Sequence, residues 1–462
     1  MSHEVSFDAA LIKRYDTQGP RYTSYPTAAQ FSDHFYIEDY RRIIAESEGQ
    51  RSGRPLSLYV HIPFCDTVCY YCACNKIITK NRAHAETYLQ YLYQEMALQT
   101  ELFDWQRPVQ QLHWGGGTPT FISLGQMTEL MRQLKDHFSF VAEDEGEFSI
   151  EVDPRRIETS LIGELRQLGF NRMSLGVQDV DEAVQRAVNR IQPVSLTRSI
   201  LQQARKQGFR SISMDLIYGL PLQTPDSFHR TLDVVIEMAP DRLSVFNYAH
   251  LPQMFKVQKQ IHAEQLPTPE QKLEILQMTI ERLVDAGYVY IGMDHFARPD
   301  DELAQAQRDG SLTRNFQGYT TRGQCDLLAL GVSAISKIDD HYMQNERRLD
   351  DYMAALDDGR LPVMRGIVCN EDDKLRSEII RELICNFQLD ITAIESKWAV
   401  SFAQYFSDEL AALETMAADG LLQIGSGRIE VLAPGKLLVR NICMVFDRYL
   451  KNDRKASYSR AI

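Results

Sequence analysis

The sequence predicts an α/β protein: a partial (β/α)6-type barrel with an N-terminal arm in front and a mainly helical C-terminal domain behind. Three observations predict it. Short apolar runs recur between residues 57 and 248, stretches of helical periodicity separate them, and the chemically distinctive residues gather where the runs end. Strand–helix repetition builds parallel sheets or barrels, and such barrels carry their active sites at the C-terminal ends of the strands.

Residues 1–40 form the arm. A short helix is expected over Asp8–Tyr15, followed by GPRYTSYPTA (Gly19–Ala28), which its two prolines keep extended. A linker wrapping the domain would explain this stretch. Arg21, Tyr22 and Tyr25 are costly residues for a linker, however, and Arg is the side chain best shaped for carboxylates, so a substrate-covering role competes with it.

Residues 41–360 hold the barrel and an extension. Strands are expected at Ser57–Pro63, Gln110–Trp114, Phe148–Val152, Arg172–Val177, Ile212–Ile217 and Leu243–Tyr248, with a seventh candidate at Val289–Met293. Helices fall between them: His84–Leu102 with Leu89, Leu92 and Met96 on one face, Leu196–Gln207 closed by Gly208, and Thr224–Met238 opened by Thr-Pro-Asp. Beyond residue 300 the pattern breaks up. Asp300–Gly310 reads as helix, Arg314–Thr321 as a polar-aromatic loop, Leu327–Ile335 as a close-packing apolar stretch and Leu349–Leu356 as helix, with a boundary at Asp357–Gly359.

Residues 361–462 are expected to be mainly helical. Phe406–Ala418, Leu421–Ile424, a Gly-Ser-Gly turn, Ile429–Leu432 and a final helix resemble a winged helix. Charges there are mixed and no helix presents a basic stripe, so a packing or lid domain is expected in place of a DNA reader. Only Arg448 to Arg460 lean basic.

The formal net charge of −13 over 462 residues argues against broad nucleic-acid binding, which requires a basic face. It leaves room for an anionic small substrate, because screening confines the global field to about 8–10 Å and a local cluster of cations can override it. The opening MSHEVSFDAALIKRYD has no apolar h-region, and no apolar run approaches the roughly 18–20 residues that span a bilayer, so a cytoplasmic location without membrane insertion is expected.

The richest stretch is HIPFCDTVCYYCACNK, His61–Lys76, which holds Cys65, Cys69, Cys72 and Cys74 of eight cysteines. Clustered thiols in such a chain point to a metal more than to disulfides. Zinc normally takes four ligands from well-separated pairs, and no second pair stands at that spacing. The C-x3-C-x2-C spacing of Cys65, Cys69 and Cys72 supplies three thiolates and would leave one iron of a four-iron cluster open to a reactant. Cys74 is left outside this set, since a C-x-C pair reaches two irons of one cube only with strain. Cys325, Cys369, Cys385 and Cys443 sit in apolar contexts and read as buried reduced thiols.

The remaining motifs are ambiguous alone. Gly115-Gly116-Gly117-Thr118 is either a tight turn or a backbone cradle, and lacks the Gly-Lys-Ser/Thr ending of a phosphate loop. Glu151 is favoured as a hydrogen-bond acceptor for cofactor hydroxyls, while Asp153, before Pro154, is equally assignable to structure. His113 reads as a core histidine and His61 as either packing or support for the cysteine loop. Arg190 is either a surface charge after an Ala183–Val188 helix or a carboxylate clamp.

The triad with the aromatic Tyr71 before its third cysteine resembles the signature of the radical S-adenosylmethionine superfamily. Further segments narrow the resemblance to the oxygen-independent coproporphyrinogen III oxidase family: LHWGGGTPT (Leu112–Thr120), SIEVDP (Ser149–Pro154), SLGVQD (Ser174–Asp179), DLIYGLP (Asp215–Pro221), SVFNYAHLP (Ser244–Pro252), GMDHFARPDDELA (Gly292–Ala304), the Gly19–Ala28 arm and LICNFQLD (Leu383–Asp390). It covers nearly the whole chain.

The resemblance implies a radical S-adenosylmethionine barrel with one 4Fe–4S cluster on Cys65, Cys69 and Cys72. One electron cleaves S-adenosylmethionine to methionine and a 5′-deoxyadenosyl radical, which takes a β-hydrogen from a propionate of coproporphyrinogen III. Carbon dioxide and an electron leave, and the ring A and B propionates become vinyl groups. Tyr59, Gly116, Glu151 and Ile335 match contacts to one S-adenosylmethionine; Tyr71, Gly117, Thr118, Gln178, Arg190, Asp215 and Ala249 match contacts to a second. A flavodoxin- or ferredoxin-like electron donor, an unidentified electron acceptor and a monomeric state are also implied. The competing readings are a haem chaperone of the same superfamily, which lacks a Cys74-type cysteine and the PRYTSYPT arm, and a plain electron carrier, which needs no open iron. A substrate with four carboxylates entering an acidic protein requires a local basic mouth, for which Arg21, Tyr22, Lys76 and Arg314 are the candidates.

Overall fold

A computed structural model of the chain describes residues 5–50, 53–104 and 106–450. The chain divides into two compact units, one of Phe31–Lys272 with Gln324–Val368, the other of Met1–Gln30 with Leu273–Gly323 and Cys369–Ile462.

The first of these holds the predicted barrel strands: β1 (Leu56–Ile62), β2 (Pro108–Gly116), β3 (Glu147–Val152), β4 (Arg172–Gln178), β5 (Ser211–Tyr218) and β6 (Arg242–Asn247). They lie side by side in chain order, every neighbouring pair parallel. This is a partial (β/α)6 barrel. A seventh parallel strand, Asp326–Leu330, pairs with the other edge of β1, and Ile335–Ile338, His341–Asn345 and Val363–Ile367 extend the sheet antiparallel. The apolar stretch Leu327–Ile335, expected to pack closely, supplies most of the first of these strands and the start of the second. Their five- and four-residue runs are too short to show a period in sequence.

Strand alternation sorts the side chains. One face carries Leu58, Val60, Leu112, Trp114, Ile150, Met173, Leu175, Ile212, Met214, Leu243 and Val245, all buried. The intervening positions carry Tyr59, His113, Ser149, Glu151, Ser174, Asp215 and Ser244, and the register sets them beside one another: Tyr59 opposite His113, His113 opposite Ser149, Glu151 opposite Ser174, Asp215 opposite Ser244. A polar row therefore lines one face of the strands and an apolar layer the other. Trp114 is fully buried edge-on against Phe170 at 5.0 Å, and truncating it to alanine would cost about 3–5 kcal/mol. The expected helices form at Ala83–Thr100, Val194–Lys206 and Pro225–Met238, the last started by Thr224, whose hydroxyl accepts from Ser227 N at 3.1 Å.

The other unit begins with the expected short helix, Ala9–Tyr15, which Asp8 caps by accepting from Ala10 N at 2.9 Å and Leu11 N at 3.0 Å. Val289–Gly292 is a strand, but it turns back on His295–Ala297 as a hairpin and does not add a βα unit. Residues 314–321 are likewise no loop: Thr313–Asn315 pairs antiparallel with Gly318–Thr320, the reversal being allowed by Gly318 at φ +119°. Helix Glu371–Asn386 leads into a three-stranded sheet of Gln388–Asp390, Arg428–Val431 and Leu422–Ile424, with helices Ile391–Trp398 and Ser407–Ala418 between. Of the basic stretch from Arg448 to Arg460, the part from 451 onward lies outside the described residues; Arg448 itself pairs with Asp372 at 2.6 Å and Asp373 at 3.1 Å. Among the described residues no helix is long and apolar enough to cross a membrane.

A buried acid ties the barrel to its extension. Glu95, on Ala83–Thr100, accepts from Gly331 N (2.7 Å), Asn345 Nδ2 (2.6 Å) and Tyr352 Oη (2.6 Å). Burial, opposed by these three bonds, pushes its carboxyl up to about 7. Because that lies above the ordinary value of 4.5, the fold favours the protonated acid, and the stability it contributes is lost as pH rises through about 7. Glu95→Ala strands three donors and is expected to destabilise by about 3 kcal/mol. In urea unfolding the deficit should shrink between pH 5 and pH 8.

Candidate functional site

The C-terminal ends of β1 to β6 converge on the cysteine loop. Cys65 leaves β1 through a two-residue bridge, Phe64–Cys65 pairing with Ile77–Ile78, which closes the loop on itself. Lys76 donates to the carbonyls of Cys72 (3.1 Å) and Cys74 (3.5 Å), so this candidate for the substrate mouth is engaged in holding the loop. Neighbouring strand ends pin the rest. Tyr70 N donates to Val188 O at 3.0 Å, Asn189 Nδ2 to Val68 O at 2.8 Å, and Arg156 bonds the Thr67 hydroxyl.

Cys65, Cys69 and Cys72 are all free thiols. Burial pushes the Cys65 thiol up to about 11, moderated by its hydrogen bond with Thr118 Oγ1 at 3.3 Å. The Cys74 side chain hydrogen-bonds Cys72 and, against burial and with help from Lys76, lowers the Cys72 thiol below its ordinary range, while the same bond raises Cys74. The sulfur of Cys69 is met by two guanidinium groups, Arg155 Nη2 at 3.4 Å and Arg190 Nη1 at 3.6 Å. Among the described residues no three His, Cys, Asp or Glu side chains lie close enough to share a single ion. An iron–sulfur cluster is held through thiolates, and this donor set of three free thiols, one with its pKa lowered by its neighbours and one facing two cations, fits such a group.

Next to the loop, the glycine turn after β2 approaches as closely as backbones can. Gly117 N donates to Ile62 O at 2.8 Å, and a Cβ on Gly117 would sit 2.7 Å from the carbonyl carbon of Pro63. Gly116, at φ +113°, packs on the His61 ring, which a Cβ would meet at 2.7 Å. His61 is buried, and burial lowers its pKa; its Nε2 donates to Asn75 O at 3.0 Å, leaving Nδ1 to accept from Tyr59 Oη at 3.0 Å. His61 thus supports both the loop and Tyr59. Tyr59 stacks on His113 at 5.8 Å, and His113 bridges Ser149 Oγ (2.5 Å) and Glu151 Oε1 (3.1 Å), a polar wall in place of the expected core histidine. Glu151 also accepts from Gly116 N at 3.3 Å.

Asp153 is an ion-pair centre. Arg155 donates to it from Nε (3.0 Å) and Nη2 (2.6 Å), and Arg190 from Nη1 (3.3 Å) and Nη2 (3.4 Å). Burial alone would raise its carboxyl, but the Arg190 charge and the Arg155 bonds outweigh it and hold it at about 2. Arg190 is buried, with Nη2 also on Gly176 O at 2.6 Å and Nε without a hydrogen-bond partner, so it is no surface charge. Gln178 closes β4 at φ +69°, a left-handed backbone that side chains other than glycine seldom adopt. Asp215, on β5, is pushed up to about 6 by burial, restrained by bonds from Ser174 (3.0 Å) and Ser244.

Gln258 escaped sequence reasoning. Its buried amide bridges Tyr71 O (3.1 Å) and Ala249 O (3.2 Å), joining two predicted positions that are far apart in the chain. Nothing in its local sequence, a short 3-10 turn, marks it. Tyr71 packs with Tyr70, Ile217 and Leu266 on a buried cluster of Val184, Val188, Leu220, Tyr248 and Ile261. Ile335 is half-buried at the start of its strand. The structure therefore gathers Tyr59, Cys65, Cys69, Tyr71, Cys72, Gly116, Gly117, Thr118, Glu151, Gln178, Arg190, Asp215, Ala249 and Ile335 within one unit. Arg21, Tyr22 and Arg314 belong to the other. There Arg21 pairs with Asp294 at 3.1 Å, Tyr22 is buried with its hydroxyl on Asp447 at 2.9 Å, and Arg314 lies 5.0 Å from the Tyr319 ring.

Gly117→Ala is expected to cost about 1–3 kcal/mol through overlap with Pro63 and Phe64. A fall in melting temperature together with reduced iron uptake would follow, whereas an unchanged melting temperature would show that the two backbones can part.

Residues 59–235 match the family model of the radical SAM superfamily. The chain is 54% identical over 462 residues to the oxygen-independent coproporphyrinogen III oxidase of Pseudomonas aeruginosa, covering all of both chains. It is 52% identical over 460 residues to the enzyme of that name from Escherichia coli strain K12, covering 99% of each. A solved structure of the Escherichia coli coproporphyrinogen III oxidase, described as a radical SAM enzyme, superposes with a TM-score of 0.91 at 51% identity, over 96% of this chain and all of that one.

Proposed function

The chain belongs to the oxygen-independent coproporphyrinogen III oxidase family, and on that premise we propose that it converts the ring A and B propionates of coproporphyrinogen III to vinyl groups, yielding protoporphyrinogen IX. The observation that carries this reading is the convergence of Cys65, Cys69 and Cys72 with the β2 turn and the β3 and β4 ends at one place. Family membership implies a 4Fe–4S cluster and S-adenosylmethionine, which when bound supply the one-electron chemistry that starts hydrogen removal from a propionate.

The chain's own groups bind and orient. Cys65, Cys69 and Cys72 hold one cluster. The Gly116 backbone, Glu151, Tyr59 and Ile335 receive one S-adenosylmethionine. Gly117, Thr118, Tyr71, Gln178, Arg190, Asp215 and Ala249 form the place for a second, with Arg190 suited to a carboxylate and Asp215 to a hydroxyl or amine. Asp153 keeps Arg190 aimed, and the apolar packing around Tyr71 keeps water from that side. Arg21 and Tyr22 of the arm, together with Lys76 and Arg314, are the candidates for contact with the carboxylates of the substrate. A flavodoxin- or ferredoxin-like donor delivers electrons to a cytoplasmic monomer, and a separate acceptor removes the electron left by decarboxylation.

The test is anaerobic. Cluster-reconstituted, reduced protein given S-adenosylmethionine and coproporphyrinogen III should yield 5′-deoxyadenosine and decarboxylated porphyrinogen together, and Cys69→Ser should reduce both to background. Deoxyadenosine without decarboxylation would overturn the reading. Loss of a charged hydrogen bond of about 1.5–3 kcal/mol predicts a roughly ten- to hundredfold higher KM for coproporphyrinogen III in Arg21→Ala. An unchanged KM would remove the arm from substrate binding.

A further inference from the structure

We propose that Arg155 sets the reduction potential of the cluster by donating a charged hydrogen bond to the sulfur of Cys69; the proposal rests on the cluster reading above. Arg155 matches none of the cofactor contacts inferred so far. It stands on the 3-10 turn Pro154–Arg156 directly after β3, where Asp153 accepts both its backbone N–H (3.1 Å) and its guanidinium. Nη1 reaches Asn189 O at 3.4 Å. With the fork fixed at those points, Nη2 is left facing Cys69 Sγ at 3.4 Å. The Arg155 and Asp153 side chains are each only 11% exposed, so the charge is poorly screened.

The charge balance gives the direction. Two guanidinium groups, Arg155 and Arg190, share the single carboxylate of Asp153 and both face Cys69. One positive charge is therefore left over beside a ligand sulfur. Reduction adds one electron, and no proton, to the cluster. A cation and an N–H donor at the sulfur stabilise the more negative, reduced state and raise its potential, because hydrogen bonds to the sulfurs and local charge are the levers that set such potentials. Arg155 acts on the metal through Cys69, which makes it a positioning and tuning residue.

The experiment is an anaerobic redox titration of the reconstituted full-length protein, followed by the electron paramagnetic resonance of the reduced cluster. Arg155→Met removes the charge and the bond, and Arg155→Lys keeps a charge without the planar fork. Arg186→Gln removes an exposed cation of the same unit that pairs with Glu182 at 2.7 Å. The expected order of midpoint potentials is wild type and Arg186→Gln together, then Arg155→Lys, then Arg155→Met lowest. A midpoint for Arg155→Met equal to wild type, or an equal drop in Arg186→Gln, would overturn the proposal. If Arg155→Met takes up no iron, Arg155→Lys decides by the same comparison. Failure of the cluster reading looks different: wild type would take up no four-iron cluster, or Cys69→Ser would load like wild type.

Discussion

Parallel register is the constraint on which the rest depends. Because side chains alternate along each strand and neighbouring strands keep step, Tyr59, His113, Ser149, Glu151, Ser174, Asp215 and Ser244 fall on one face while Leu58, Leu112, Ile150, Leu175 and Met214 fall on the other. A slip of one residue in any strand would exchange the two sets, burying carboxylates among apolar side chains. The apolar layer thus fixes the polar row, and the polar row fixes which loops meet where the strands end.

Where the loops meet, glycine permits what other residues would forbid. Gly117 against Pro63 and Gly116 against the His61 ring bring the β2 turn into direct backbone contact with the start of the cysteine loop. His61, kept neutral by burial, connects the two through Asn75 and Tyr59. These contacts hold the thiols beside Asp153, Arg155 and Arg190, whose charges set the local balance. The chain's overall negative charge has little bearing there, because a buried pair a few ångströms away outweighs distant screened charges.

Much of this was legible in the chain itself. Six strands, their order and the cysteine spacing are local properties: a period of two, a period of 3.6 and a C-x3-C-x2-C count survive without any knowledge of contacts. The helix cap at Thr224 was readable for the same reason, since a cap is a bond between near neighbours. The hairpins at Val289–Ala297 and Thr313–Thr320 and the antiparallel strands after residue 335 were not, because three- to five-residue strands show no period and their partners lie outside any window.

The sequence by itself therefore determined the class of chemistry: which residues could bind iron, where strands end, and that distinctive side chains cluster at those ends. Only the tertiary structure decided the roles that depend on distance. It put Arg190 in a buried ion pair and not on the surface, gave Lys76 to the loop's own carbonyls, turned His113 from a core residue into a bridge to Glu151, and brought Gln258 between Tyr71 and Ala249. The physical reason is the same in each case. A hydrogen bond or ion pair is specific only within about 3–4 Å, and no local pattern records which distant residue will come that near.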